Sequence, residues 1–183
     1  MLHNKAIQFI ALLVGLSSAL IFADLLASAP KASLAQDGSW YIIRAKHSNQ
    51  CLNILNGSFD NGAPAVQGNR CNTPNFFWKL VPVENTNGNI VYRFVARHSN
   101  QCLNVLNGSG ENGASVVQGN RCDTPNFLWT IRQRPRGYVL IINKQTGQCL
   151  NVLNGSFNNG GLVVQGTACN TPNFEWMLEK VEE

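Results

Sequence analysis

One segment of 28 residues occurs three times in this chain, and the copies align without a gap. They are residues 51–78, 102–129 and 149–176; the first two share 21 of the 28 positions and the last two share 20. Their common form is C-L-N-[IV]-L-N-G-S-x-x-N-G-x-x-x-V-Q-G-x-x-C-x-T-P-N-F-x-W. Self-similarity at a nearly fixed period indicates a chain built from copies of one supersecondary unit.

Each repeat is predicted to contain four short β-strands. A β-rich run precedes the first cysteine, and the C-L-N-[IV]-L segment alternates and ends in an Asn-Gly turn dipeptide. A Val-rich segment follows the second Asn-Gly, and a fourth strand begins at the F-x-W motif. No segment after residue 35 has a sustained helical period. The extra length between the first two repeats, 84–89, is predicted to be a polar linker.

Twelve strands in three units favour one closed architecture. A propeller also has four strands per unit, but it needs about four blades or more to close. Three four-stranded units close around a pseudo-threefold axis as a β-trefoil, which is a six-stranded barrel capped by three hairpins. We therefore predict an all-β protein with the β-trefoil fold.

The F-x-W motif is predicted to supply the core. Phe76 and Trp78 are two apart on a strand and should face the same side, so three such pairs would converge near the axis. The residue between them is Phe77, Leu128 or Glu175. Because one repeat has Glu there, this position is predicted to point outward.

The first 35 residues differ from the rest and are predicted to be a signal peptide. Lys5 precedes an apolar run, and the segment ends in Ser33-Leu34-Ala35, with small residues at −3 and −1 of a cleavage site. An uncleaved anchor is the alternative, since the apolar run is just long enough to span a bilayer. We expect a secreted or periplasmic protein without stable membrane insertion. Its single domain is 36–183, with repeats at about 40–83, 91–134 and 137–181.

The six cysteines are predicted to form three disulfides in the oxidising compartment that export implies. Six cysteines allow fifteen connectivities, but each repeat carries its own pair at the same two positions. Repetition therefore selects Cys51–Cys71, Cys102–Cys122 and Cys149–Cys169. A metal site would need C-x-x-C or clustered histidines, which the sequence lacks, and no metal or cofactor is predicted.

Composition narrows the function. From residue 36 onward the chain has 12 Lys and Arg, 9 Asp and Glu, and 23 Asn in 148 residues. Such a weak positive charge argues against a nucleic-acid binder. No repeated pair of carboxylates suits glycoside hydrolysis, and His47 and His98 are interpreted as solvated loop residues, so we predict that the protein is not an enzyme.

The repeats resemble the ricin-type β-trefoil lectin family over the whole of 36–183. The family's Cys-Leu-Asp-Val, N-G turn, hydrophobic-Gln segment, second Cys and Q-x-W motif correspond in the first repeat to Cys51-Leu52-Asn53-Ile54, Asn61-Gly62, Val66-Gln67, Cys71 and Phe76-Phe77-Trp78. The resemblance implies a β-trefoil that binds glycans or polysaccharides.

The resemblance also nominates sugar-contacting residues, with departures. Two residues after the first Cys, Asn replaces the Asp that contacts sugar in the family, while the strand Gln four residues before the second Cys is retained. Two residues before the second Cys, Asn or Thr replaces the aromatic residue that stacks on the sugar. The Asn directly before F-x-W is kept. Phe59 is a candidate to replace this stacking ring above the polar candidate residues of repeat 1. The candidates are Asn53, Phe59, Gln67, Asn69, Asn75, Asn104, Gln118, Asn120, Asn126, Asn151, Gln165 and Asn173.

Two functional classes remain open on the sequence. Amides suit neutral sugar hydroxyls because each offers donors and an acceptor without charge, which favours a carbohydrate-binding module with up to three weak sites. Asn also stabilises turns through its own backbone. The alternative is therefore a β-trefoil scaffold with a structural, inhibitory or protein-interaction role. In that case the basic run Arg132, Arg134 and Arg136 is the candidate surface for an anionic partner. The sequence leaves the oligomeric state open.

Overall fold

The computed structural model describes residues 38–86 and 89–182, and the predicted signal peptide and its cleavage site lie outside them. This part of the chain contains twelve β-strands, four per repeat. The strands are β1 Trp40–Ala45, β2 Cys51–Ile54, β3 Ala65–Gly68, β4 Phe77–Thr86, β5 Asn89–Ala96, β6 Cys102–Val105, β7 Val116–Gly119, β8 Trp129–Gln133, β9 Val139–Asn143, β10 Cys149–Val152, β11 Val163–Gly166 and β12 Trp176–Lys180.

Short 3₁₀ helices separate the strands. They are Leu55–Gly57, Pro74–Phe76, Leu106–Gly108, Pro125–Phe127, Pro135–Gly137, Leu153–Gly155 and Pro172–Phe174. In the first, Asn56 and Gly57 have φ of 55° and 61°, and the Ser58 amide donates to the Leu55 carbonyl. Asn-Gly tolerates consecutive left-handed residues, so the predicted turn is confirmed. None of the helices in the described residues is long or apolar enough to cross a membrane.

Six strands close into an antiparallel barrel. Pairing runs β1–β4, β4–β5, β5–β8, β8–β9, β9–β12 and back from β12 to β1. The other six form the hairpins β2–β3, β6–β7 and β10–β11. Isolated bridges Pro64–Val117, Ser115–Val164 and Val66–Leu162 join the hairpins to one another around the axis. The predicted β-trefoil is confirmed.

The tryptophans of the three F-x-W motifs anchor the core. Trp78, Trp129 and Trp176 are fully buried in one cluster with aliphatic residues from all three repeats. Each indole N–H donates to the carbonyl of the leucine after the first cysteine, at 2.9–3.0 Å. A buried indole needs such a partner, so this bond ties the fourth strand of each repeat to its own hairpin.

Two local predictions are wrong. The segment expected to be a linker instead extends β4 and β5 into a long hairpin, in which Glu84 pairs with Val91 and Thr86 with Asn89. Glu175, expected to point outward, is buried, and its carboxylate accepts from Lys46 Nζ at 2.6 Å. A glutamate is tolerated at this buried position because a cation from β1's loop neutralises it.

The three predicted disulfides are present, each within one repeat. They join Cys51–Cys71, Cys102–Cys122 and Cys149–Cys169, each with a sequence separation of 20. Each bridge links the start of a hairpin to the loop that follows its second strand. In repeat 1 the disulfide therefore holds the open end of the hairpin, where Cys51 pairs with Gly68, next to residues that line the candidate site.

Candidate functional site

Three related clefts lie on the outside of the three hairpins. Cleft 1, in repeat 1, has a volume of about 460 Å³, cleft 2, in repeat 2, about 400 Å³, and cleft 3, in repeat 3, about 240 Å³. Their floors come from the hairpin and the Pro-Asn-Phe 3₁₀ helix of the same repeat. These clefts contain most of the candidate residues and form the candidate site.

Each cleft is completed by a loop from another repeat. The second Asn-Gly dipeptide of repeat 3, Asn159-Gly160, lines cleft 1. The Asn159 Oδ1 accepts from the Asn69 amide at 3.1 Å, and the Gly160 amide donates to the Gln67 carbonyl at 2.8 Å. The same contacts bring Asn61 to cleft 2 and Asn112 to cleft 3. The clefts therefore exist only because the three repeats close on one another.

The strand glutamines line the clefts, but their side chains are fully buried and hold these loops. Gln67 is fully buried, and its Nε2 donates to the carbonyls of Ser156 and Asn158 at 2.7 and 2.9 Å. Its Oε1 accepts from Ser48 Oγ at 2.7 Å. Equivalent bonds engage Gln118 and Gln165. The assignment of Gln67, Gln118 and Gln165 as sugar ligands is corrected, because both amide N–H groups are used and none is accessible.

Two asparagines of each repeat form the cleft wall, and their amides are engaged. The Asn53 Nδ2 donates to the carbonyls of Cys51 and Val66 at 3.3 and 3.1 Å. The Asn75 Nδ2 donates to the Ile54 carbonyl at 3.2 Å, and its Oδ1 accepts from Thr73 Oγ1 at 2.7 Å. The same network holds Asn104 with Asn126 and Asn151 with Asn173. These residues line the clefts but mainly fix their shape.

The phenylalanine of F-x-W lies beside the cleft and not in the central core, which corrects half of that prediction. Phe76 ends a 3₁₀ helix, so its ring does not share the strand face of Trp78. The ring packs on Gly68, where an added Cβ would lie 3.0 Å from its Cε1 and 2.8 Å from Asn53 Nδ2. The glycine of V-Q-G is thus required by close approach, and Phe76 gives cleft 1 an apolar floor. Phe127 and Phe174 do the same in the other clefts.

Phe59 does not lie over the polar set of repeat 1, and its assignment there is corrected. Its ring contacts His98 of repeat 2 edge to face, with centroids 5.3 Å apart, and the side chain is 68% exposed. Phe157 contacts His47 of repeat 1 in the same way. Each histidine Nε2 lies 2.9 Å from the carbonyl of a serine on the phenylalanine's loop. The histidines are therefore half-buried junction residues and not solvated ones.

The cleft side chains that have no hydrogen-bond partner within the described residues are mostly not those that the sequence nominated as sugar ligands. Asn69 and Asn120 line clefts 1 and 2, and no contact among the described residues uses their side chains. The first Asn-Gly asparagine, interpreted only as a turn residue, also lines each cleft and is exposed. Arg70 and Arg121 line clefts 1 and 2 as well. The sequence analysis did not nominate these arginines, although each directly follows a nominated asparagine, Asn69 or Asn120.

Among the described residues, no three His, Cys, Asp or Glu side chains are arranged to hold a metal ion. The open groups of the clefts are amides, guanidinium groups and main-chain atoms, placed beside an apolar ring. Such a surface can bind a polar, hydroxyl-rich molecule by hydrogen bonds.

Comparison with known families identifies the domain. The family model described as ricin-type beta-trefoil lectin domain-like matches residues 31–119 and 124–183. The chain belongs to this ricin-type β-trefoil family. No curated protein sequence matches it.

Several solved structures have a similar fold. The designed threefold-symmetric protein ThreeFoil is 31% identical, with a TM-score of 0.73, over 78% of this chain and 99% of that protein. An exo-β-1,3-galactanase from Clostridium thermocellum is 27% identical, with a TM-score of 0.75, over 80% of this chain and 31% of that enzyme. A Polyporus squamosus lectin, bound to a sialylated trisaccharide, is 18% identical, with a TM-score of 0.66, over 78% and 49%.

Proposed function

We propose that this protein is an exported, non-catalytic carbohydrate-binding module that uses the three clefts as weak, related sites. The observation that carries the proposal is that each cleft combines open amide groups from two repeats with a phenylalanine floor. Membership of a lectin-like family supports it. Export is supported by the signal-like segment 1–35 and by three disulfides, which persist in oxidising compartments.

The proposed sugar ligands in cleft 1 are Asn56, Asn69 and the free Nδ2 of Asn159. The main-chain N–H of Asn69 donates to Asn159 Oδ1, which fixes the Asn159 side chain and leaves its Nδ2 free to donate to a sugar. Asn53 and Asn75 keep the wall in place through their bonds to main-chain carbonyls. Amide donors and acceptors match sugar hydroxyls, while the apolar floor favours a C–H face of the ring.

The aromatic residues in the linings of the three clefts are Phe76, Phe127 and Phe174, and each is at most 7% exposed, so no cleft offers an open ring for stacking. We expect millimolar affinity for a monosaccharide, about 4 kcal/mol per site. Three clefts around one axis raise the avidity for a multivalent glycan by about 10² or more. The useful ligand is therefore a polysaccharide or a dense glycan surface.

A scaffold role without sugar binding is the second candidate. It is favoured by the strand glutamines. The family resemblance nominated them as sugar ligands, but their side-chain N–H groups donate to main-chain carbonyls of the protein, as Gln67 does. The clefts favour the first candidate, because Asn69 and Asn120 remain open where a scaffold has no use for them.

A glycan array probed with the purified protein tests the proposal. We expect retention on at least one glycan class, lowered about fivefold or more by Asn69→Ala with Asn120→Ala, since each lost hydrogen bond contributes about 1 kcal/mol. The matched control is Asn72→Ala with Asn170→Ala, exposed asparagines outside the clefts. No retention on any glycan would favour the scaffold, and equal loss in both double variants would contradict the clefts as the binding sites.

A further inference from the structure

The three clefts differ most in charge. Arg70 lines cleft 1 and Arg121 lines cleft 2, while the aligned residue in cleft 3 is Ala168. Both arginines are exposed, and neither forms an ion pair or side-chain hydrogen bond within the described residues. A guanidinium that no carboxylate of the protein engages is available to an anion, and its planar fork suits a carboxylate.

Acidic residues near the clefts break the symmetry further. Asp123 lies two residues after Arg121, within about 7 Å along the chain, and the aligned residue in repeat 1 is the neutral Asn72. The loop that completes cleft 2 carries Asp60, whereas the loop that completes cleft 1 has Asn158 at that position. The Cα atoms of Arg121 and Asp123 lie closer together than the Debye length of about 8 Å at physiological salt. Asp60 directly precedes Asn61, whose side chain accepts from the main-chain amide of Asn120 beside Arg121.

Cleft 3 has the opposite character. It lacks the arginine, and the loop that completes it carries Glu111 at the position of Asp60 and Asn158. Across these three aligned positions, cleft 1 has one net positive charge, and clefts 2 and 3 each have one net negative charge. No aspartate or glutamate lines any of the three clefts, so Asp60, Asp123 and Glu111 act on clefts 2 and 3 from outside the lining.

We propose that cleft 1 is specialised for a sugar that carries a carboxylate, such as a uronic acid, with Arg70 as the residue that selects it. The inference rests on the proposed sugar binding and adds the ligand class of one cleft. In cleft 2 the field of Asp60 and Asp123 cancels the attraction of Arg121. In cleft 3 no cation is present, so a neutral sugar is preferred there.

Amide NMR titrations of the protein with methyl glycosides of glucose, glucuronic acid, galactose and galacturonic acid test this proposal. The backbone amides of Asn69, Asn120 and Thr167 report clefts 1, 2 and 3 separately. We expect at least one uronide to bind cleft 1 about two- to fivefold more tightly than its neutral partner, the range that exposed ion pairs contribute. The preference should disappear in Arg70→Gln and fade in 0.5 M NaCl, and clefts 2 and 3 should show none.

Variants of cleft 2 provide a matched test, in which that cleft should gain the preference proposed for cleft 1. Asp60→Asn with Asp123→Asn gives cleft 2 the charges of cleft 1, so cleft 2 should acquire the uronide preference, while Arg121→Gln in that background should remove it again. Neutral glycosides that bind without any uronide advantage at cleft 1, or an advantage that survives Arg70→Gln, would overturn the inference and leave the proposed function intact. Shifts at no cleft with any glycoside would overturn both.

Discussion

Replacement of Gln118, a polar residue of strand β7, by alanine should destabilise the fold much more than replacement of a surface amide does. The side chain is fully buried and makes three hydrogen bonds: Nε2 donates to the Ser58 and Asp60 carbonyls at 2.8 and 2.9 Å, and Oε1 accepts from Ser99 Oγ at 2.7 Å. Each such bond contributes about 1 kcal/mol net. We expect a loss of about 3 kcal/mol in the free energy of unfolding, because two carbonyls of repeat 1 also lose their partner.

Equilibrium urea unfolding with the disulfides intact measures this loss, and the fully buried Trp78, Trp129 and Trp176 provide the fluorescence signal. Asn120→Ala, two residues along the chain and exposed, is the control and should change stability by less than about 0.5 kcal/mol. The same alanine substitution at Gln67 should give a similar loss, since its bonds are equivalent. A cost below about 1 kcal/mol for Gln118→Ala would refute the argument that this side chain joins the repeats.

Three further outcomes are expected. Gly119→Ala should cost about 1–3 kcal/mol in urea unfolding, because the new Cβ would lie 2.9 Å from Phe127 Cζ; an unchanged midpoint would contradict the close approach. Cys102→Ala with Cys122→Ala should cost about 3 kcal/mol, as a loop with a separation of 20 is released in the unfolded chain, and a loss under 1 kcal/mol would count against it. Burial raises the pKa of Tyr92 above 10.0, so the neutral phenol is favoured in the folded state, and its contribution to stability is full below pH 10 and lost as the pH rises through the folded pKa. Spectrophotometric titration should find a tyrosine that ionises above pH 10, and normal ionisation of all three tyrosines in the folded protein would refute this.

The fold was predictable because repetition carries more information than any single segment. Each repeat supplies the same turn dipeptides, the same cysteine pair and the same tryptophan, and a threefold copy number excludes a propeller. The long β4–β5 hairpin was not predictable, since its Gly- and Asn-rich sequence resembles a linker. Its pairing continues that of the barrel strand β5, in which Val91 and Tyr92 are buried.

The site was only partly predictable because it is formed between repeats. Aligning the copies places Gln67 and Asn69 in one set, but only closure of the barrel shows that Gln67 binds the loop of repeat 3 while Asn69 stays open. For the same reason Phe59 belongs next to repeat 2 and not repeat 1. A residue type indicates what a side chain can bind, and the neighbouring repeat decides what it does bind.

The structure of the protein with its preferred glycan bound is the most direct test of the account. We predict a sugar inside a cleft that contacts both repeats which form it, for cleft 1 through Asn69 of the hairpin's repeat and the Nδ2 of Asn159 from the adjoining loop. A glycan bound on the exposed rings of Phe59 and Phe157, or along Arg132 and Arg136, with all three clefts empty, would contradict it.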